Sequence, residues 1–378
     1  MRRGRLRTGT EFTHGSHGAF AWQDGLVPEL PTPYVSVDVD VLDRNIARMA
    51  AHAAAHGLAL RPHAKTHKCL QIAKRQVGAG AAGLTVATVG EAEIFAGAGF
   101  TDLFVAYPLW VDAARGARLA ALAERGRLAV GADSAEGVQA LARHAGTGFE
   151  VMVEIDSGHH RSGVAPEQAG AVAAAALRAG LRVRGVFTFP GHGYGPGQPT
   201  TAAADESAAL AAAATALRAT GAEPQTVSGG STPTAVLTGG GVTEIRPGVY
   251  AFNDAQQVEL GVCEPGEVAL TVTATVVSRR PGHVILDSGN KVLGADRPGW
   301  ATGFGRLVGL PDARVVTTSE HHATVVLPDP ADLPEVGTRV QVMPNHVCAA
   351  VNLADELVVT SGGQVVDRWR VAARGANV

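Results

Sequence analysis

Short apolar runs alternate with alanine-rich, amphipathic segments from residue 33 to residue 255. Each apolar run has the length of a buried β-strand, and the segments between them have the pattern of surface helices. Thr88 and Ser134 are helix-start residues, placed before Gly90–Ala98 and Ala135–His144. This alternation predicts a parallel sheet whose strands are joined by helices. The eight predicted strands are Pro33–Asp40, Leu58–Lys65, Gly83–Val89, Asp102–Pro108, Leu128–Asp133, Phe149–Asp156, Leu181–Gly191 and Thr226–Ser231.

A count of eight strands favours a closed (β/α)8 barrel over an open, doubly wound sheet. After about residue 256 the helical pattern almost disappears, and short runs separated by Pro, Gly and Asp turns indicate a β domain. We therefore predict an N-terminal segment (1–27) that packs with the β domain, a barrel (28–255) and a C-terminal β domain (256–378). The strands predicted for the β domain are Val268–Ser278, His283–Asp287, Ala313–Thr318, Ala323–Leu327, Arg339–Met343, Glu356–Thr360 and Gln364–Val371.

Charge and aromatic content argue against a nucleic-acid partner. The 378 residues include 32 basic and 35 acidic side chains, for a net charge of −3, so no basic excess is available to neutralise a phosphate backbone. Aromatic residues make up only 5% of the chain, which also leaves few platforms for stacking bases.

Cysteine usage and hydropathy predict a cytoplasmic protein. Cys69, Cys263 and Cys348 are odd in number and far apart, which argues against a disulfide framework and for a reducing compartment. The arginines near the start are not followed by the apolar stretch of a secretory signal. No run of about 18 apolar residues occurs, so we expect no membrane partner.

The second predicted strand runs into a basic segment, Arg61–Lys68. Active-site groups of barrels lie at the carboxyl ends of strands, and Lys65 lies there between His63 and His67, with Lys68 following. A neighbouring cation lowers the pKa of a lysine, and the free amine is the form that makes a Schiff base. On this motif alone, a solvated lysine in a basic loop is the alternative.

The sixth and seventh predicted strands also end in polar groups. Arg161 follows the sixth strand and could pair with a phenolate or carboxylate, or it could simply tie its loop to Asp156. After the seventh strand, glycines let the backbone approach a ligand that His192 and Tyr194 would face. A plain glycine-rich turn is the competing interpretation.

The eighth predicted strand ends in an anion-binding sequence. Its glycines, including Gly230, are followed by Ser231 and Thr232 at the start of a short helix, where backbone N–H groups can hold a phosphate. Further along, Gly248 and Tyr250 supply another glycine and a phenol. Neither a P-loop nor a dinucleotide fingerprint is present, so the phosphate is expected to belong to a smaller cofactor.

His346 and Cys348 form the one metal-binding pattern we single out in the β domain. On an extended segment, side chains at i and i+2 share one face. Imidazole plus thiolate suits zinc, and two protein ligands leave positions open for a catalytic metal. A buried cysteine beside a hydrogen-bonded histidine is the alternative.

Together these segments resemble the fold-type III pyridoxal-phosphate (PLP) enzymes, specifically the D-serine dehydratase and D-threonine aldolase group related to alanine racemase. The resemblance runs from Thr32 to Gly375. It implies an alanine-racemase-like (β/α)8 TIM barrel with a C-terminal β domain, and a homodimer with the active site near its interface. The matching segments are Arg61–Lys68, Gly230–Thr232, Leu286–Lys291, Glu320–His321 and Pro344–Cys348.

The resemblance also implies roles for individual residues. Lys65 matches the Schiff-base lysine, and Arg161 lies where relatives hold the phenolic oxygen of PLP. His346 and Cys348 match the divalent-metal ligands. The residues that match the phosphate cup are Gly230, Ser231, Thr232, Gly248 and Tyr250.

Cys348 favours the dehydratase branch, because the aldolases of this group have Asp at the second metal position. Thiolate favours zinc, whereas carboxylate favours manganese or magnesium. The expected reaction removes water and ammonia from D-serine or a related D-3-hydroxy amino acid and leaves a 2-oxo acid. Lys65 would take the Cα proton, and the metal would polarise the β-hydroxyl.

Other functions fit the sequence less well. In a D-threonine aldolase, His63 or His67 would act as the base that deprotonates the hydroxyl, giving glycine and an aldehyde. A non-catalytic PLP-binding protein would lack the β domain. A racemase typically needs a tyrosine in the β domain, and no tyrosine follows Tyr250.

Overall fold

Strands and helices alternate in the first part of the structure, as the hydrophobic pattern predicts. The computed structural model describes residues 30–329 and 332–378, and residues 31–378 form one compact unit. The predicted N-terminal segment 1–27 lies outside the described residues. In chain order the strands of this part are β1 Tyr34–Asp38, β2 Ala59–Leu60, β3 Leu84–Val86, β4 Asp102–Pro108, β5 Arg127–Ala132, β6 Glu150–Ile155, β7 Arg182–Thr188, β8 Thr226–Gly229 and β9 Glu244–Ile245. The helices are α1 Val39–Ala55, α2 Leu70–Gly78, α3 Val89–Gly97, α4 Ala113–Ala123, α5 Ala135–Ala145, α6 Ala169–Arg178 and α7 Pro199–Arg218.

Capping residues set the starts of these helices. The Asp38 carboxylate accepts hydrogen bonds from two N–H groups in the first turn of α1. Thr88 caps α3 and Ser134 caps α5 through their hydroxyl oxygens, which confirms both predicted helix starts. Each cap satisfies a backbone donor that the helix itself leaves without a partner.

Within the described residues, eight parallel strands form one sheet in the order β2-β9-β8-β7-β6-β5-β4-β3. The segment that follows β2 also meets β3, because the Thr85 N–H donates to the Pro62 carbonyl at 2.8 Å and His63 forms a parallel bridge with Thr85. The arrangement is consistent with the predicted (β/α)8 barrel.

One predicted barrel strand was wrong. Strand β1 lies in the other sheet, where it pairs antiparallel with residues 270–273 and parallel with residues 358–360. The eighth barrel strand is β9 instead, which pairs with β2 and β8. A strand of two residues shows no recognisable pattern, and a buried apolar strand looks the same whichever sheet it joins.

The remaining strands join β1 in the second sheet. In the described residues its order is β11-β14-β13-β12-β15-β10-β1-β16-β17, and β10 also pairs with β11. The seven predicted strands of this region are confirmed, but Gly305–Leu307 and three short helices were missed. The strands are β10 Leu270–Arg280, β11 His283–Leu286, β12 Gly305–Leu307, β13 Leu310–Thr318, β14 Ala323–Val326, β15 Arg339–Pro344, β16 Glu356–Ser361 and β17 Gln364–Arg370, and the helices are α8 Ala255–Glu259, α9 Asn290–Leu293 and α10 Val347–Leu353.

Two groups of side chains pack on the strands of the parallel sheet or next to them. Buried Arg61 binds Glu244 and Asp102, each at 2.7 Å, so its charge is paired on both sides. A separate apolar cluster contains Phe104 and Phe187, whose rings meet edge to face at 5.0 Å. Removing one partner of a buried ion pair costs about 3–5 kcal/mol, so we assign Arg61 a structural role.

No helix in residues 30–329 or 332–378 is both long and apolar enough to cross a membrane.

Candidate active site

Two adjoining cavities, of about 340 and 450 Å³, open where the parallel strands end. The first cavity is also lined by residues of the second half of the chain, so groups from both parts of the chain meet there. Both cavities are lined by His63, Lys65, Arg161, Phe189 and Arg246.

Lys65 presents its amine to both cavities. It lies in a short helical turn, Ala64–Thr66, that follows β2. Its Nζ makes no hydrogen bond or ion pair with any described residue, and it lies 5.7 Å from the centroid of the Phe189 ring. Burial lowers the pKa of Lys65, and the cations Arg161 and Arg246 lower it further, against the opposing effects of Cys348 and Glu91. These effects increase the fraction of free amine.

Polar contacts with three residues hold the Lys68 side chain within the folded structure. Its φ of 48° is unusual for a residue other than glycine. Its Nζ donates to Asn352 at 2.8 Å and Asn377 at 3.1 Å, and lies 3.4 Å from the buried Glu91 carboxylate. Of the two neighbouring lysines, Lys65 is therefore the one available for chemistry.

The two histidines of this segment have different environments. His63 lines both cavities, and burial holds its pKa well below its usual value, with Lys65 and Arg246 adding to the effect. Its buried Nδ1 has no hydrogen-bond partner among the described residues. A neutral imidazole beside the cavity can serve as a base.

His67 lies in the core and not at the cavities. Its Nδ1 accepts a hydrogen bond from the Cys69 N–H at 3.1 Å, so Nε2 holds the proton and donates to Gln76 at 3.1 Å. Burial lowers its pKa to about 4. Both nitrogens have protein partners, and the structure does not bring this predicted catalytic residue to the site.

Arg161 reaches the cavities from the loop after β6. Its guanidinium lies 5.1 Å from the centroid of the Phe189 ring. In the described structure it makes no bond to Asp156, whose Oδ2 is bound instead by His160 at 2.7 Å. The alternative that Arg161 merely ties its loop to Asp156 is therefore wrong.

Arg246 is a cavity residue that the sequence analysis missed. It is buried, donates through Nε to Ser228 at 2.9 Å, and also binds the Thr188 carbonyl. The rings of Phe104 and Phe187 lie within 5.6 Å of its guanidinium carbon. Its position before Pro and Gly, at a strand end, was the available signal, but β9 had not been recognised as a strand.

Of the two groups predicted after β7, one reaches the first cavity. Tyr194 lines it, and burial raises the pKa of this phenol. His192 is not among the lining residues, and its Nε2 lies 3.3 Å from Asp205.

The predicted phosphate cup is partly at the cavity surface. Ser231, Gly248 and Val249 line the first cavity. A Cβ on Gly248 would lie 2.6 Å from the Thr66 hydroxyl, so only glycine allows this approach beside Lys65. The backbone at Gly248 and Val249 is therefore positioned to contact a small anionic group next to the amine.

The other predicted cup residues lie behind this surface. Thr232 accepts the Tyr250 N–H through its hydroxyl at 3.1 Å, and the Tyr250 phenol is bound by Gln76 at 3.1 Å. Gly230 has a φ of 74°, and its N–H donates to the buried Glu206. These residues shape the loop, and none of them lines the first cavity.

His346 and Cys348 both line the first cavity. Contrary to the prediction, they do not lie on an extended segment, because α10 begins at Val347 and His346 is its N-terminal cap residue. Burial raises the pKa of the Cys348 thiol, but the facing His346, Lys65 and Thr66 lower it below its usual value. The same pairing raises the pKa of His346 to about 11, against the effect of burial.

Two aspartates hold this pair in place. Asp296 binds Nδ1 of His346 through its carboxylate, which leaves Nε2 for another partner. Asp254 is buried and accepts the Val347 N–H at 3.0 Å. Burial raises the pKa of Asp254 to about 6, although the neighbouring His346 lowers it.

The donor set suits an open divalent-metal site. Imidazole and thiolate lie side by side at a cavity, and a carboxylate orients the imidazole, as is common around zinc. Over residues 30–329 and 332–378, no group of three or more His, Cys, Asp or Glu side chains is placed to hold a metal. The remaining positions would therefore fall to water or substrate.

Comparisons with known proteins match this architecture. The family model "Alanine racemase, N-terminal domain" matches residues 37–256, and the model "Putative serine dehydratase domain" matches residues 269–360. The chain belongs to the fold-type III PLP enzymes. Within this alanine-racemase-like family it is similar to D-threo-3-hydroxyaspartate dehydratase of Delftia sp. (strain HT23), with 38% identity over 357 residues, covering 86% of this chain and 93% of that protein.

A second family relative has another activity. D-threonine aldolase of Arthrobacter sp. is 33% identical over 362 residues, covering 91% of this chain and 93% of that protein. Among solved structures, a cysteine-to-alanine mutant of D-threo-3-hydroxyaspartate dehydratase, in its metal-free form, superimposes with a TM-score of 0.83 at 35% identity, covering 90% of this chain and 97% of that one. Both relatives are lyases of D-3-hydroxy amino acids, which supports enzyme function for this chain.

Proposed function

We propose that the protein is a PLP- and divalent-metal-dependent lyase that dehydrates D-serine or a related D-3-hydroxy amino acid to a 2-oxo acid and ammonia. The observation that carries the proposal is that the Lys65 amine and the His346–Cys348 pair line one cavity. A basic amine and a Lewis-acid site at the same substrate can act on two neighbouring carbons.

The cavity residues fit PLP. Lys65 would hold its aldehyde carbon, Arg161 its phenolic oxygen, and the backbone at Gly248 and Val249 its phosphate. When bound, PLP supplies an electron sink for the bond broken at Cα. Released from the cofactor, the Lys65 amine can take the Cα proton, since burial and two nearby cations lower its pKa.

His346 and Cys348 would hold the metal, with zinc favoured by the thiolate. A metal there supplies a Lewis acid for the substrate β-hydroxyl. Asp296 keeps the imidazole ring in orientation, and Asp254 anchors the backbone between the two ligands. A metal held there would fix the position of the leaving hydroxyl.

A further finding supports the dehydratase reaction. Solved structures described as D-threo-3-hydroxyaspartate dehydratase include a histidine-to-alanine mutant and a metal-free cysteine-to-alanine mutant, and the numbers of the two substituted residues differ by two. His346 and Cys348 have the same spacing. The aldolase reaction is the second candidate, because D-threonine aldolases are similar over most of the chain and His63 offers a neutral base at the cavity.

Product analysis tests the proposal. Purified, PLP-loaded and zinc-loaded protein is incubated with D-serine, D-threonine and D-threo-3-hydroxyaspartate, with the L-enantiomers as matched controls. We expect a 2-oxo acid with ammonia from at least one D-substrate, and no comparable turnover of the L-forms, because amine and metal are fixed on a chiral cavity. Glycine with an aldehyde would instead establish the aldolase reaction, and no turnover of any of the substrates would refute both.

Replacing Asp296 by alanine is expected to weaken zinc binding by about 10–100-fold, the usual cost of losing an outer carboxylate partner of a metal-binding histidine. Asp296→Asn keeps a hydrogen-bond acceptor at Nδ1 of His346 and should cost less. Zinc affinity is measured by competition with a chromogenic chelator, independently of activity. Equal affinities of wild type and Asp296→Ala would show that the carboxylate does not orient the ligand.

The (β/α)8 barrel, the homodimer, the cytoplasmic location and the division at residue 255 stay predictions. One measurement of mass in solution would test the dimer.

A further inference from the structure

Glu206 contacts residues 229–232 at the end of β8, which we call the phosphate loop, on the side away from the first cavity. It lies within α7 and is fully buried. Its Oε1 accepts the N–H of Gly230 at 2.5 Å. A Cβ on the preceding Gly229 would lie only 2.2 Å from the same oxygen, so glycine at this position is what lets the carboxyl group approach.

Only one of the two carboxyl oxygens of Glu206 accepts a hydrogen bond of normal geometry. Its Oε2 is buried and makes no hydrogen bond of normal geometry with any described residue. The nearby Thr238 hydroxyl lowers the pKa of Glu206 but donates its proton to the Thr234 carbonyl at 3.1 Å. A buried polar group without a partner is costly, so a purely structural contact would be served better by a smaller neutral side chain. The charged group that acts on it is the Arg246 guanidinium, which lines both cavities.

We infer that Glu206 is a positioning residue for the cofactor phosphate: it holds the turn at Gly229 and Gly230, occupies the Gly230 N–H, and places a carboxyl group directly behind the phosphate loop. The inference rests on the proposed function, because the anion that the loop would bind is the phosphate of PLP. It corrects the expectation that Gly230 itself donates to that phosphate, since its N–H is already bound.

Ionisation of Glu206 should oppose phosphate binding. Burial raises its pKa to about 7, although the Gly230 N–H and Arg246 lower it. A bound phosphate raises this pKa further, so binding of PLP takes up a proton, and the contribution of Glu206 to affinity is lost as pH rises above about 7. Deprotonation of Lys65 acts in the opposite direction, because it favours binding of PLP as pH rises. Wild type and a Glu206 variant share this effect, so the difference between their PLP affinities reports on the carboxyl group alone.

The test compares Glu206→Gln and Glu206→Leu with wild type in PLP titrations of the apoprotein. Glu206→Leu removes the hydrogen bond to the loop and should weaken PLP binding about tenfold at about pH 6, the upper end of the usual range for a hydrogen bond between neutral groups. Glu206→Gln keeps an acceptor for the Gly230 N–H, so it should bind PLP as wild type does at about pH 6 and more tightly than wild type at about pH 8. Inorganic phosphate as competitor reports on the loop without involving Lys65.

Glu223→Gln is the matched control, because Glu223 is exposed and pairs with Arg218 at 3.0 Å, away from the loop. Parallel pH profiles for Glu206→Gln and wild type, or unchanged PLP affinity in Glu206→Leu, would overturn the inference. If Glu206→Leu does not fold, the shape-conserving Glu206→Gln still decides it through its pH profile. Folded wild-type protein that fails to bind PLP at any pH would refute the proposed function itself, and the inference with it.

Discussion

Lys65→Ala protein is expected to lose the Schiff-base absorbance of PLP and to lose turnover by at least about 10²–10⁴-fold, the contribution of a positioned proton-transfer group. We expect this because the Lys65 amine makes no hydrogen bond or ion pair with any described residue. At the cavity, burial and two cations favour its neutral form. Absorbance spectra and borohydride trapping, followed by peptide mapping, measure the attachment site directly.

Lys74→Ala is the matched control for this change. Lys74 is an exposed lysine on the neighbouring helix α2, and its loss should leave both the spectrum and the turnover unchanged. An intact Schiff-base band in Lys65→Ala protein would show that another lysine holds the cofactor. Lys68 is a poor substitute, because its amine is bound by two asparagines and lies beside a glutamate.

Cys348→Ala should weaken metal binding by more than about 100-fold. The substitution removes one of the two protein ligands, and the only anionic one. This loss should exceed the cost of removing an outer partner of a ligand, which is about 10–100-fold. Turnover should fall with the metal. Chelation of wild-type protein should likewise remove activity and leave the Schiff-base absorbance, since Lys65 and the loop would bind PLP without the metal. Added zinc should restore turnover.

Two further variants make the metal test specific. Cys263→Ala removes a buried thiol that does not line the cavities and should keep full metal content. Cys348→Asp should retain a site with a preference shifted toward harder ions such as manganese. Metal content and turnover are measured together for all variants. Full activity in wild-type protein stripped of divalent metal would reduce His346 and Cys348 to packing residues and end the metal-assisted mechanism.

Local sequence signals predicted the elements and the position of the central amine. Thr88 and Ser134 cap helices where expected, because a cap depends only on the following turn. Lys65 follows a short apolar run and lies at a cavity, because parallel strands collect their carboxyl ends on one side of the sheet. His346 and Cys348 lie together at the cavity, but the extended segment from which we predicted this is wrong, because helix α10 begins between them.

Tertiary structure decided what such signals leave open. Strand β1 could pair in either sheet, since its apolar residues would be buried in both, and only the completed second sheet determines its partners. His67 and Lys65 lie two positions apart, yet one faces the core and the other the cavities, because the turn between them sets the direction of each side chain. Asp296 and Glu206 are distant in sequence from the groups they contact. Their roles arise from side-chain contacts that form only when the two halves and the helix α7 are in place, which no local pattern records.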